Sequence, residues 1–120
     1  SEMESLLFRI TINSNQPENL VQFYSALGFN FSLKNVDKGS KIWSGHLNKI
    51  EMEIFGIPES FSVRSPSVQF SFQVHNIEKI VETIRPMGVQ IMMEPLQVAA
   101  GVMCFLMDPD GRSVELLERK

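Results

Sequence analysis

Arg9, Thr11 and Asn13 alternate with Ile10 and Ile12, and sixty positions further on Gln69, Ser71 and Gln73 alternate with Phe70 and Phe72. A two-residue period puts each polar trio on one face of a strand and its apolar partners on the other. Glu51 and Glu53 share a face in the same way, and Glu115 lies on the last apolar-rich segment. Carboxylates of this kind suit two chemistries. Their oxygens bind hard divalent cations, and they also accept the planar fork of an arginine. Arg9 itself cannot ligate a metal, because it has five donors, no acceptor and a permanent charge. Glu115 is a candidate catalytic general base, and a neighbouring Arg9 would lower its pKa and weaken it in that role.

Other reactive types are poorly placed. Cys104 sits inside the apolar run Val102–Met107 with no adjacent base, so it reads as structural. His46 falls in a predicted turn and His75 at a strand end, and both read as surface residues. Tyr24 is on the packing face of a helix. Trp43 lies on a strand, where both core packing and ligand stacking are open to it. Met87, Met92, Met93, Met103 and Met107 read as core filling. No phosphate-binding loop, dinucleotide fingerprint or helical zinc motif occurs.

The elements that position these residues follow from periodicity and turn chemistry. Leu6–Ile12 reads as a strand, Pro17 opens a helix with Leu20, Phe23, Tyr24 and Leu27 on one stripe, and Gly28 ends it. Strands are expected at Phe29–Asn35, Ser40–Ser44 and Ile50–Phe55, the last two joined around His46-Leu47-Asn48. Pro- and Ser-rich residues 58–66 read as a linker. The order then recurs: a strand at Val68–Val74, a helix marked by Ile77, Ile80, Val81 and Ile84, and a stop at Pro86-Met87-Gly88. A strand at Val89–Met93, a loop at Gln97–Gly101 and a hairpin across Asp108-Pro109-Asp110-Gly111 complete it. The near-repeat extends from Phe8–Asn35 onto Val68–Pro95 without a gap. The expected fold is therefore α+β: one domain over 1–120, built from two βαβββ units, 5–57 and 67–119, whose curved mixed sheet surrounds a pocket.

The totals bound the function. With 120 residues the chain has the size of one domain. Its net charge of −3 disfavours nucleic acid as a partner. No apolar run reaches the roughly 18 residues of a membrane span. The acidic start, Ser1-Glu2-Met3-Glu4, lacks the basic flank of a secretion signal, and one cysteine fits a reducing cytoplasm.

Paired βαβββ units, Phe23-Tyr24 followed by Leu27-Gly28-Phe29, and Asp108-Pro109-Asp110-Gly111 followed by a strand carrying Glu115-Leu116 resemble the vicinal oxygen chelate superfamily. That superfamily includes glyoxalase I, extradiol dioxygenases and bleomycin-resistance proteins. The resemblance implies a pocket metal held by first-strand and last-strand side chains. Carried onto this chain, the first-strand positions are Arg9 and Gln69, and the last-strand carboxylates are Glu115 and either Glu51 or Glu53. The expected ligand-binding set is Arg9, Thr11, Gln69, Ser71, Glu51, Glu53 and Glu115. Arg9 stands where a ligand should be and opposes a second cation, so the expectation is a metal-free pocket in which Arg9 pairs with Glu115, Glu51 or Glu53 and anchors an anionic or oxygen-rich small molecule. The alternative is a metal-dependent lyase, isomerase, transferase or dioxygenase using Ni, Mn, Fe or Zn on Gln69, Glu115 and Glu51 or Glu53. The resemblance further implies a homodimer.

Overall fold

Ten residues from Pro17 to Ala26 form the first helix, α1, with proline at its first turn, where a missing N–H leaves no bond unmade. Leu20, Phe23 and Tyr24 are fully buried along its inner stripe. Leu27 closes the helix and Gly28 follows at φ 109°, a left-handed conformation that glycine adopts without strain. The second helix, α2 (Ile77–Ile84), starts at two side-chain caps. Asn76 Oδ1 accepts from the Lys79 amide at 3.2 Å, and Glu118 Oε1 accepts from the Ile77 amide at 2.9 Å. Pro86 converts its end to a short 3-10 turn over Arg85–Met87.

The computed structural model describes residues 5–36, 40–58 and 66–120. Eight strands accompany the helices: β1 (Arg9–Ser14), β2 (Asn30–Val36), β3 (Ser40–Leu47), β4 (Ile50–Gly56), β5 (Gln69–Gln73), β6 (Ile91–Val98), β7 (Gly101–Met107) and β8 (Ser113–Arg119). They make two four-stranded mixed sheets with the same topology, β1-β4-β3-β2 and β5-β8-β7-β6, in which β1/β4 and β5/β8 are the parallel pairs. The expected α+β architecture of two βαβββ arrangements is thus observed. The sheets do not merge into one closed surface: β1 and β5 are each an outer strand of their own sheet.

Several boundaries differ from the sequence reading. The first strand starts at Arg9 and runs on to Ser14, because Asn13 and Ser14 continue the register opposite Phe55 and Gly56. β3 runs to Leu47, so His46 lies on a strand opposite Glu51 rather than in a turn. The turn is Asn48-Lys49, with Asn48 at φ 54°, which asparagine tolerates. β6 starts later than expected and continues through Pro95 to Val98. An outer strand accepts proline, and two register shifts against β7 absorb the irregularity. Of the expected linker 58–66, residues 59–65 lie outside the described residues, as do Ser1–Glu4.

One core joins both halves of the chain. Ile12, Leu20, Phe23, Tyr24, Met52 and Ile54 from the first half cluster with Ile77, Val81, Ile84, Leu106, Val114 and Leu116 from the second. The Tyr24 ring meets Phe70 and Phe72 at centroid distances of 6.2 and 6.3 Å. The two arrangements therefore pack on each other within a single chain. The methionine expectation is corrected: of the five, only Met87 packs against this core, Met92 is 52% exposed, and Met103 and Met107 sit half-buried on β7.

Candidate functional site

The polar faces of β1 and β4 are in register, with Arg9 opposite Glu51 and Thr11 opposite Glu53. Arg9 Nε donates to Glu51 Oε1 and lies 3.6 Å from Glu53 Oε1. Thr11 Oγ1 donates to Glu53 Oε1 at 3.4 Å, and Ser44 Oγ donates to Glu51 Oε2 at 3.1 Å. The guanidinium lies 5.1 Å over the Phe8 ring. Among the described residues neither Nη group of Arg9 has a partner. The hydrogen bond from Arg9 holds the Glu51 carboxyl below its ordinary value, with Ser44 adding to this, and the same bond raises Arg9.

His46 belongs to this cluster, with Nε2 3.6 Å from Glu51 Oε2. Sequence reading missed it because β3 was cut three residues short. A β-register argument from Glu51 backwards across a two-residue turn could have found it.

The second sheet repeats the pattern with different side chains. Gln69 faces Ser113 and Ser71 faces Glu115. Ser113 Oγ donates to Gln69 Oε1 at 3.2 Å, and Arg119 Nε donates to Gln73 Oε1 at 2.9 Å. This register resolves an ambiguity of the sequence. Thr11–Glu53 is the counterpart of Ser71–Glu115, so Glu53 and not Glu51 occupies the position equivalent to Glu115.

The expected constellation is only partly assembled. Arg9, Thr11, Glu51 and Glu53 meet on one sheet, and Gln69, Ser71 and Glu115 on the other. No hydrogen bond or ion pair joins the two groups among the described residues: of the three carboxylates expected as alternatives for Arg9, it meets Glu51 and Glu53 and not Glu115. A cleft of about 450 Å³ does lie between the halves. Leu7, Ile10, Ile50 and Met52 line it from the first half, and Gln69 to Gln73 from the second. It contains Gln69 and Ser71 but none of Arg9, Glu51, Glu53 and Glu115.

A divalent metal does not fit the residues as arranged. Among the described residues no group of three or more His, Cys, Asp or Glu side chains is placed to hold one. Glu51 and Glu53 already face a fixed guanidinium, and the Gln69 amide oxygen already accepts from Ser113.

Sequence reading also passed over the buried junction behind the site. Tyr24 Oη donates to Asp108 Oδ2 at 2.6 Å, and Arg112 Nη1 donates to the same oxygen at 2.5 Å. Burial, then the nearby Asp108, pushes the Tyr24 hydroxyl far up. Burial opposes the Arg112 charge, yet Asp108 more than offsets it and the pKa is raised. Burial and Glu94 push the Cys104 thiol up to about 11, which fits its structural role.

Residues 6–56 match a family model described as lactoylglutathione lyase, putative-like, N-terminal. The lactoylglutathione lyase GLX1 of Arabidopsis thaliana is 32% identical over 62 residues, which are 50% of this chain and 22% of that protein. The match thus spans about a fifth of the curated relative. Two solved structures share the fold. A glyoxalase I from Zea mays has a TM-score of 0.75 at 18% identity, covering 94% of this chain and 45% of its own. A glyoxalase/bleomycin resistance protein/dioxygenase family enzyme from Burkholderia phytofirmans has a TM-score of 0.75 at 12% identity, covering 97% and 100%. The paired sheets therefore have the fold of these glyoxalase/bleomycin resistance/dioxygenase structures, and the first half of the chain is similar to lactoylglutathione lyases. Among the described residues no helix is long and apolar enough to cross a membrane.

Proposed function

We propose that the chain binds a small, oxygen-rich organic molecule through Arg9, without the divalent metal that the superfamily resemblance implies. The observation that carries this reading is the state of Arg9. Its Nε is tied to Glu51 and Glu53, which orients the fork, and among the described residues neither Nη group has a partner. A pre-oriented donor pair loses little freedom when an acceptor arrives. Two carboxylates outweigh one guanidinium here, so the ligand expected is neutral or weakly charged, with carbonyl or hydroxyl oxygens, rather than a strong anion. Thr11 and Ser71 add hydroxyls, Gln69 an amide and His46 an imidazole. Glu115 stands beside Ser71 as the one carboxylate of the set with no side-chain partner among the described residues. The buried single cysteine is compatible with a cytoplasmic setting.

The two groups of polar residues belong to separate sheets, and we propose that a second copy of the chain completes the site. The outer strands β1 and β5 each follow exposed apolar residues, Phe8 and Val68, which suits burial in a homodimer.

Metal analysis of protein purified without chelators, followed by titration with Ni²⁺, Mn²⁺, Fe²⁺ and Zn²⁺, tests the metal-free reading. Tight stoichiometric binding that Glu115→Ala abolishes would sink it. A thermal-shift screen with glutathione conjugates, catechols and bleomycin-like compounds tests the ligand class. Stabilisation without metal, lost in Arg9→Ala, is the expected result.

The equivalence of Glu53 and Glu115 favours one second reading. These carboxylates with Gln69 would serve a metal-dependent lyase, isomerase, transferase or dioxygenase, as the lactoylglutathione lyase name of the Arabidopsis relative suggests. Stabilisation that requires metal would support it.

A further inference from the structure

A second cavity, of about 360 Å³, lies between the outer side of α1, the segment that follows the 3-10 turn and the β7–β8 turn. It shares no lining residue with the cleft between the halves. Four of its five polar side chains are carboxamides: Gln16 at the N-cap of α1, Asn19 and Gln22 at three-residue spacing along the helix from it, and Gln90 from the segment after the 3-10 turn. Met87 and Met107 supply an apolar, adaptable floor.

The amides are already partly oriented. Gln16 Nε2 donates to the Pro109 carbonyl at 2.8 Å and to Asp110 Oδ1 at 2.9 Å, partners that only a donor can satisfy. Gln16 Oε1 must then be an acceptor, and Asn19 Nδ2 donates to it at 2.9 Å. That leaves Asn19 with an unused amide oxygen. Gln22 and Gln90 make no side-chain hydrogen bond among the described residues, so two complete carboxamides are available beside it. Among the described residues that line the cavity, no charge is free to meet a ligand. The only titratable residue of the lining, Asp108, has both oxygens occupied by Tyr24, Arg112 and two backbone amides.

A neutral cleft that offers donors beside acceptors over a methionine floor selects a matching partner. We infer that it is a second binding site, for a small neutral planar ligand whose edge carries a hydrogen-bond donor next to an acceptor. A carboxamide complements such an edge with two bonds, as it does with the adenine edge, and methionine sulfur packs well on a flat ring. The edge can belong to a nucleobase or to a simple amide.

Side-chain amide resonances of ¹⁵N-labelled protein, titrated with adenosine, nicotinamide, AMP and glucose, test the site. Adenosine, nicotinamide or both should shift the Asn19, Gln22 and Gln90 resonances while those of Gln69 and Gln73 stay in place. A response to adenosine alone assigns the nucleobase source, and a response to nicotinamide assigns the simple amide. AMP should bind more weakly than adenosine, because no cation lines the cleft to receive its phosphate. The double variant Gln22→Leu/Gln90→Leu should weaken binding about tenfold or more, the equivalent of one bidentate contact. Both residues are exposed, so its Tm should match that of the parent protein. No shift with adenosine or nicotinamide, an equal response to glucose, equal affinity for AMP, or undiminished binding by the double variant would overturn the inference.

Discussion

At the scale of single residues, Arg9 decides the character of the site. It stands at a position where the superfamily resemblance implies a metal ligand, and it is engaged by Glu51 and Glu53 instead. The pairing has a pH signature. Glu51 has a folded-state pKa lowered from 4.5, chiefly by the Arg9 hydrogen bond, so its contribution to stability is present above pH 4.5 and is lost as pH falls through the lowered value. Unfolding curves recorded from pH 7 down to pH 3 should therefore show Glu51→Gln with a flatter acid limb than the parent protein. Equal slopes would mean that the pair contributes nothing in solution, as many exposed pairs do. That Arg9 and Thr11 share one face of their strand, and Glu51 and Glu53 one face of theirs, was legible from alternation alone. Which glutamate matches Glu115 was not, because chain spacing differs between the halves and only the strand register equates Glu53 with it.

At the scale of elements, caps and close approaches hold the parts in place. Asn76 closes the start of α2, and Asn76→Ala should lower stability by about 1 kcal/mol in urea unfolding. Gly101 opens β7 at φ 149°, and a Cβ there would meet the Glu118 carbonyl oxygen at 2.0 Å. Gly101→Ala forces the β7–β8 pairing apart, and a loss of about 1–3 kcal/mol is expected from backbone strain of this kind, readable as a fall in Tm. Helix positions were legible because Leu20, Phe23, Tyr24 and Ile77, Val81, Ile84 keep helical spacing between proline and glycine signals. The ends of β3 and β6 were not. Asn48 resembles Leu47-flanking turn residues only once β3 and β4 are paired, and Pro95 reads as a stop until the strand is known to lie at an edge.

At the scale of the molecule, Asp108 ties the β7–β8 turn to α1. It accepts from Tyr24 and Arg112 in a fully buried setting. Tyr24→Phe should cost about 1.5–3 kcal/mol, the range for a hydrogen bond to a charged group. Arg112→Leu should cost about 3–5 kcal/mol, because it strands a buried charge. Chemical denaturation of both variants checks the order. The chain is also flat, with extents of 50 × 44 × 24 Å, and its radius of gyration of 15.4 Å exceeds the roughly 13.6 Å expected for this length. A flat body with two outer strands and exposed Phe8 and Val68 is expected to pair. Sedimentation should find a dimer that Phe8→Glu/Val68→Glu converts to monomer.

The amino-acid sequence by itself determined the doubled βαβββ order, the polar face of each first strand and the tight turn at Asp108–Gly111. These depend on local periodicity and on the φ preferences of proline and glycine, which neighbours along the chain express without help. Tertiary structure alone decided that Arg9 meets Glu51 and Glu53 rather than Glu115, and that Asn19 and Gln22 of α1 share a cleft with Gln90. Those meetings depend on strand register and on how two sheets share one core. Such contacts join residues forty to ninety positions apart, as Arg9–Glu51 and Tyr24–Asp108 do, beyond the reach of any local pattern.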